Sequence, residues 1–399
     1  MNSLISLLKQ PVQRRLLLAS LPADFADWLD YVAIIAVIVY TWGHGPLALA
    51  ALSITLTLPY VLVGPLLAAW VDRTEIKRVL LLSNLGRGVL TLGLAVVPSF
   101  ELLLVVVALR AVVDSAFTPA KQAAIQLATP EPMLMAANGL HQGVNQTSKI
   151  LGPALGGLLI AIMPAQGVFL INAALSLIAF GVLLGLQLPE RAPLADLHES
   201  FWQRLTGGIS EFFGNRKLLK VLVFAASAHF IWFLYDTQLA FLNGMFGYDA
   251  TVFGISIAAS GAGGVLGAVL AGSIKTTRPL LMMGLSALLS GIVTTMMALA
   301  AMWGWSIPLP LYLATMAVLG GTTVFMLVPY RAVVQRETPP DRIARVSAAG
   351  EAVMIVAMMA APFIGSLLAS GWGIPAPFLT GGVLLGLLGV AGIGFALRR

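Results

Sequence analysis

The chain has no cysteine and only four histidines among its 399 residues, and charged residues make up only 10% of it. The absence of cysteine excludes disulfides and thiolate-bound metals, and four histidines are too few for a multi-ligand metal site. Soluble proteins carry about 25% charged residues. The shortage of charge therefore excludes a water-soluble domain as the body of the protein.

Sequence motifs of enzymes and ATP-driven pumps are also missing. The chain contains no HExxH, no GxSxG, no GxxxxGK[ST] and no GxGxxG in a strand-to-helix setting. Those motifs supply zinc ligands, an activated serine, and loops that bind phosphates or dinucleotides. Their absence argues against an enzyme and against an ATP-driven pump, and we expect neither a cofactor nor a metal.

Apolar residues dominate what is present: the chain is 59% hydrophobic, with a mean hydropathy of +0.93. Roughly 20 apolar residues cross a bilayer as a helix, and backbone polar groups in lipid must be satisfied within the span. We therefore predict an all-α membrane protein with 12 transmembrane helices in two six-helix bundles. The predicted spans are 16–40, 47–69, 79–98, 102–127, 134–162, 167–187, 219–243, 250–273, 279–302, 308–334, 343–369 and 375–397.

The positions of lysine and arginine predict the orientation of these spans. Twenty of the 23 basic residues fall before the first span, after the last one, or in the even-numbered connections, and none lies in the opposite loops. Basic loops stay in the cytoplasm, so both termini are predicted to be cytoplasmic. We further expect the protein to lie in a bacterial inner membrane. The excess positive charge is thus a topology signal, and we expect no nucleic-acid partner.

Residues 188–218 separate the two sets of spans, so we predict bundles at 1–187 and 219–399 joined by a cytoplasmic linker. Apolar residues at near-helical spacing in this linker are Leu197, Phe201, Leu205 and Phe212. The spacing favours an amphipathic helix on the membrane surface. A solvated linker with one incidental helical turn is the alternative.

The two halves of the chain resemble each other at a shift of about 209 residues. This shift aligns three pairs: Pro153 with Pro362, Gly156 with Gly365, and Asp27 with Asp236. Parallel repeats of this kind place a substrate site between the halves, near the membrane midplane. Chance similarity between helices rich in Gly, Ala and Leu is the alternative.

Charged side chains within spans are costly, so each is a candidate for function. Asp24, Asp27 and Asp30 follow one another at three-residue steps in the first span. Three carboxylates this close cannot all ionise comfortably, so Asp27 and Asp30 are candidates for proton coupling, and Asp24 is a lesser one that could sit at the cytoplasmic interface.

Other spans contribute further charged candidates for proton coupling. Arg110 and Asp114 stand at i and i+4 and can form an intrahelical ion pair, for which a purely structural role is the alternative. Asp236 has His229 two turns earlier, and such a pair could relay protons, although we favour hydrogen-bonded packing for His229. Glu351 is isolated in sequence and needs a partner from elsewhere in the chain.

The fifth span carries a polar stripe that cannot face lipid, made of Asn138, Gln142, Asn145 and Lys149. We take this stripe, together with His229 and Trp232, as candidate substrate-binding residues, with Lys149 either snorkelling or pairing with a first-span carboxylate. GxxxG spacings at Gly152/Gly156 and Gly263/Gly267 are interpreted as close helix packing. Kinks at Pro153 and Pro362 are expected to shape gating helices.

Several stretches resemble the major facilitator superfamily along essentially the whole chain. The segment AAWVDRTEIKR (68–78) is similar to its G-x-x-x-D-R-x-x-R-R/K signature through Asp72, Arg73, Lys77 and Arg78, whereas Ala68 and Ile76 depart from it. GPALGG (152–157) resembles a motif associated with exporters in this superfamily. Arg110 resembles the fourth-helix arginine that is implicated there in proton transfer.

The stretches FTPAKQAAI, ANGL (137–140) and PPDRIARVSA (339–348) look most like the drug:proton antiporter group that includes enterobactin and macrolide efflux proteins. Lysophospholipid transporters share a similar Ser/Thr-Pro-Ala-Lys element. The resemblance thus implies a monomeric, proton-coupled exporter of a small amphipathic drug or siderophore. A lysophospholipid transporter and a non-transporting membrane sensor or scaffold are the alternatives.

Overall fold

A computed structural model describes residues 7, 9–189, 201–274, 278–339 and 342–397. Within these residues the regular structure is helical, with no strand. Contacts divide the chain into an N-terminal unit, Met1–Gly43 with Ala51–Leu194, and a C-terminal unit, His44–Ala50 with Ala195–Arg399.

The first half of the chain forms eight helices that make six crossings. They are α1 (Pro11–Leu29), α2 (Tyr31–Ala36), α3 (Pro46–Leu62), α4 (Gly64–Arg73), α5 (Ile76–Leu94), α6 (Phe100–Leu127), α7 (Leu134–Ile162) and α8 (Ala165–Leu184). A π-helical turn, Val37–Thr41, extends α2, and a 3-10 turn, Glu131–Met133, precedes α7. The pairs α1/α2 and α3/α4 each count as one crossing.

The second half repeats this pattern after a linker helix. Its helices are α9 (Phe201–Gly214), α10 (Arg216–Asp236), α11 (Leu239–Met245), α12 (Ala250–Ser273), α13 (Pro279–Met302), α14 (Leu309–Glu337), α15 (Ile343–Trp372) and α16 (Pro375–Leu397). Counting α10/α11 as one crossing gives six crossings here as well, so the predicted fold of 12 transmembrane helices in two six-helix bundles is confirmed.

Three of the predicted continuous spans are broken. The first breaks at Asp30, the second at Val63 and the seventh at Thr237–Gln238. In the second span the break lies just before Pro65, whose backbone has no N–H to donate to the preceding turn. In the first, the side chain of Asp30 turns to Arg110 on α6.

The units differ in where charge lies within their crossings. By length and hydropathy alone, seven described helices qualify as membrane-spanning: α8, α10 and α12 to α16. Six of these seven form the crossings of the C-terminal half. The remaining crossings of the N-terminal half are broken or carry charged side chains in their interiors.

The helix expected in the linker is present as α9, and it packs on α15 of the same unit. Phe212 is buried, and Glu211 accepts a hydrogen bond of 2.7 Å from Arg342. A Cβ at Gly208 would meet the Arg345 carbonyl and the Ala349 methyl group. Leu197 lies outside the described residues. The position of α9 on a membrane surface remains a prediction.

Glycines let the helices of each unit approach closely. In the N-terminal unit Gly156 of α7 lies on the carbonyl of Leu29, and in the C-terminal unit Gly365 of α15 lies on that of Leu234. The same contact thus joins the fifth crossing to the first in one unit and the eleventh to the seventh in the other. This correspondence agrees with the repeat seen in the sequence.

Replacing Gly263 with alanine should destabilise the C-terminal unit. A Cβ there would overlap the Ala317 carbonyl of α14, a backbone atom that moves only with its helix. We expect Gly263→Ala to lower the free energy of unfolding by about 1–3 kcal/mol, measured by thermal unfolding in detergent. The control is Gly386→Ala, where nothing lies within 4 Å of the added Cβ. Equal stability of the two variants would contradict close packing of α12 on α14.

Candidate functional site

Charged side chains from α1, α5, α6 and the break after α1 meet inside the N-terminal unit. We call this group the ion-pair cluster, and it consists of Asp24, Asp27, Asp30, Arg87, Arg110, Asp114 and Lys121. It contains four carboxylates and three cations. The proton-coupling candidates of the N-terminal half, Asp27, Asp30, Arg110 and Asp114, all belong to it.

Helix geometry explains why the three first-span aspartates meet different cations. Successive helix residues turn by about 100°, so a step of three residues turns the side chain back by about 60°. Asp24, Asp27 and Asp30 therefore fan across one side of the helix. Each carboxylate contacts a different basic residue on α5 or α6.

Lys121 contacts Asp24 at one end of the cluster. Its Nζ lies 2.6 and 2.7 Å from the two oxygens of the Asp24 carboxylate, and Asp24 is buried. The same ammonium lies 6.0 Å from the centre of the Phe117 ring. Asp24 is thus a buried, paired carboxylate.

Arg87 occupies the centre of the cluster. It pairs with Asp27 through Nη2, and its Nε lies 2.6 Å from Oδ1 of Asp114. Its guanidinium carbon stacks 4.7 Å above the Phe117 ring, and only 1% of the residue is exposed. Sequence reasoning missed Arg87, although the signal was available: a lone arginine in the middle of an apolar span.

Arg110 joins the cluster to the break after α1. It donates two hydrogen bonds to Asp30, of which the one from Nη2 to Oδ1 is 3.2 Å long. The predicted pair of Arg110 with Asp114 is present at 3.7 Å, but Arg87 is the closer partner of Asp114. Asp114 therefore bridges two arginines and is not confined to an intrahelical pair.

The polar stripe of α7 is described only in part. Asn138 is exposed, Asn145 is half-buried, and the side chain of Gln142 lies outside the described residues. Lys149 places its Nζ 5.9 Å from the Trp28 ring, a cation–π contact with the first span. Gly152, next to Pro153, packs against Trp28.

An apolar groove runs between α1 and α7 in the N-terminal unit. It has a volume of about 660 Å³, and its lining includes Leu21, Phe25, Gly139, Leu140, Gly143 and Val144. A Cβ added at either glycine would meet nothing within 4 Å. The groove is therefore unobstructed at these two positions.

The candidates of the C-terminal unit are more dispersed. Nδ1 of His229 lies 2.9 Å from the Ala225 carbonyl, and its ring meets Trp232 edge-on, with the ring centres 6.4 Å apart. Asp236 makes no ion pair within the part of the chain that the structure describes, and His229 is not brought to it. Glu351 is attracted electrostatically to Arg331 of α14.

The described charged side chains of the signature segment 68–78, at the end of α4 and the start of α5, lie outside the ion-pair cluster. Arg73 is exposed, Lys77 is half-buried, and the side chain of Asp72 is outside the described residues. Arg78 pairs with Glu75 at 2.6 Å on the surface. Pro362 lies within α15. Among the described residues, no group of three His, Asp or Glu side chains is arranged to hold a metal ion.

Removing the Arg87 cation should strongly destabilise the protein, because Asp27 and Asp114 would lose their shared partner. We expect Arg87→Met to lower the free energy of unfolding by about 3–5 kcal/mol in thermal unfolding experiments. The surface variant Arg78→Met should cost less than about 1 kcal/mol. Adding Asp114→Asn to Arg87→Met should restore part of the loss. An Arg87→Met protein as stable as the wild type would contradict this arrangement.

Proteins of known sequence and structure resemble this chain along most of its length. An uncharacterized MFS-type transporter, YfiS of Bacillus subtilis (strain 168), is 27% identical over 372 residues, covering 92% of this chain and 89% of the relative. Macrolide efflux protein A of Streptococcus pyogenes is 23% identical, with 82% of each chain covered. The crystal structure of the nucleoside transporter NupG superposes with a TM-score of 0.70 at 16% identity, covering 98% of this chain and all of that one.

The profile of the Major Facilitator Superfamily matches residues 16–350, which is most of the chain. The fold of two six-helix bundles and the structural similarity to NupG agree with this match. The chain therefore belongs to the Major Facilitator Superfamily and is a multi-pass membrane transporter of the secondary type, not an enzyme.

Proposed function

We propose that this transporter exports a small amphipathic compound, a drug or a siderophore, in exchange for protons by alternating access. The observation that carries the proposal is the composition of the ion-pair cluster, in which four carboxylates meet three cations. With every group ionised, the cluster carries one unmatched negative charge inside a membrane-spanning bundle. Binding one proton makes it neutral.

A change of net charge in this place biases the conformational equilibrium. An uncompensated charge in a membrane-embedded bundle is costly, about 2.5–3.5 kcal/mol on insertion scales, and less so where water reaches it. The charged cluster therefore favours a conformation that hydrates it, and the neutral cluster tolerates one that does not. A proton that binds two conformations with different affinity shifts the equilibrium between them.

Accessibility supports Asp27 as the carboxylate that protons reach first. The exposed fraction of its side chain is 27%, compared with 16% for Asp114 and 2% for Asp24 and Asp30. Asp30 is held by two hydrogen bonds from Arg110. We propose Asp236 and Glu351 of the C-terminal unit as further titrating groups.

The surroundings of α7 support an amphipathic substrate. The groove between α1 and α7 suits an apolar moiety. We propose as substrate-contacting residues Asn138, Gln142, Asn145, Lys149, His229 and Trp232. The name of the relative macrolide efflux protein A supports export, and with it membership of the drug:proton antiporter group.

We also propose the arrangement of the protein in the cell. It would act as a monomer in a bacterial inner membrane, with both termini in the cytoplasm and bundles at 1–187 and 219–399 joined by the linker 188–218. The bacterial relatives support the membrane assignment. The distribution of lysine and arginine supports the orientation.

Transport in proteoliposomes with an imposed pH gradient tests this proposal. We would compare a macrolide, a cationic dye, an iron-free siderophore and a labelled lysolipid. Asp27→Asn keeps the shape of the side chain but holds it permanently neutral. We expect this variant to lose gradient-driven accumulation by about 10-fold or more, as for other removed proton-transfer groups, and to retain exchange of substrate across the membrane.

The matched control is Asp249→Asn, because Asp249 caps α12 at the surface and asparagine caps helices equally well. This variant should transport like the wild type. Lysolipid movement that depends neither on the gradient nor on Asp27 would contradict proton-coupled export. A lipid transporter would then be the working hypothesis. Ligand binding without any flux would favour a sensor or scaffold.

A further inference from the structure

One face of α5 carries three polar residues that are buried and incompletely hydrogen-bonded. Asn84, Arg87 and Thr91 stand at i, i+3 and i+7, and each is at most 1% exposed. The amide of Asn84 donates to the Leu80 carbonyl at 2.8 Å, but its Oδ1 accepts nothing. Nη1 of Arg87 and Oγ1 of Thr91 also have no hydrogen-bond partner within the described chain.

Unpaired buried polar atoms are rare because each costs about 1–3 kcal/mol. Three such atoms lie on one helix face within about 10 Å, so we treat them as one group. The set mixes a donor, an acceptor and a hydroxyl that is both, so no single ion satisfies all three. Water both donates and accepts, and buried water typically makes about three such bonds.

We propose that ordered water lies on the α5 side of the ion-pair cluster, held by Asn84, Nη1 of Arg87 and Oγ1 of Thr91, and that protons reach Asp27 and Asp114 along it. The second part rests on the proposed proton coupling. A proton moves along such water as each molecule accepts one proton and releases another, so no other reactant is needed.

The neighbouring helices fit a route that ends at these carboxylates. The charged groups near Arg87 are Asp24 and Asp27 from α1 and Asp114, Arg110 and Lys121 from α6. Helix α8 contains no charged residue and buries Asn172 and Ser176. Arg73 of α4 is exposed. Lys121 is held by Asp24, and Arg87 itself is the cation that contacts both Asp27 and Asp114.

Thr91→Val tests the water site, because it removes only the hydroxyl and keeps the shape of the side chain. If the site holds water, the variant should unfold at a lower temperature, since the water loses a partner. If the site is dry, the variant should unfold at a higher temperature, because an unpaired buried hydroxyl is gone. The second result would overturn the proposal, whatever the protein transports.

Transport measurements test the proton route. We expect Thr91→Val to slow pH-gradient-driven transport about 10-fold or more while substrate exchange without a gradient stays at the wild-type rate. The control is Thr322→Val, a buried threonine of α14 whose hydroxyl donates to the Leu319 carbonyl at 2.8 Å. It should leave both transport rates unchanged.

The outcomes separate this inference from the proposed function. A wild-type protein that couples flux to the gradient, together with an unaffected Thr91→Val variant, would reject the water route and leave proton-coupled export standing. A wild-type protein without gradient coupling would reject proton-coupled export and the route together, and the unfolding temperature of Thr91→Val would still decide the water site.

Discussion

The cost of placing charge inside a membrane-spanning bundle is the constraint on which this structure depends. Arg87, Arg110 and Lys121 each contact at least one carboxylate, and the two arginines contact two each. Such pairs are weak evidence for stability when compared with an apolar core, but breaking one leaves a buried charge alone. The cluster therefore fixes the register of α1 against α5 and α6, because a shift of one helix would separate several pairs at once.

The two units pack their helices in the same way but differ in how they accommodate buried charge. Both seat a glycine of one helix on a carbonyl of another, at Gly156 and at Gly365. Only the N-terminal unit adds a network of buried ion pairs among the described residues, whereas α13, the ninth crossing, carries no charge at all. The repeat thus preserves backbone geometry, and the network of buried ion pairs within the described residues lies in one half.

Sequence reasoning predicted the spans well, because long apolar runs report directly on the membrane environment. It also placed Asp27, Asp30, Arg110 and Asp114 among the functional candidates, since charge inside a span is conspicuous. It paired Arg110 with Asp114, but it could not pair Asp24 with Lys121 or Asp30 with Arg110, which are 97 and 80 residues apart. Arg87 was missed because basic residues were considered mainly as topology signals in the loops. The breaks at Asp30 and Thr237 contain no proline, so no local sequence signal predicted them.

Because ion-pair partners are shared within the cluster, some carboxylates can be protonated without leaving a buried cation unpaired. If Asp27 is neutralised, Arg87 keeps Asp114, and if Asp114 is neutralised, Arg87 keeps Asp27 while Arg110 keeps Asp30. Neutralising Asp24 instead leaves Lys121 without an ion-pair partner in the described chain, beside only the Phe117 ring. A proton can therefore come and go at Asp27 or at Asp114 without leaving Arg87 unpaired, because Arg87 contacts both carboxylates.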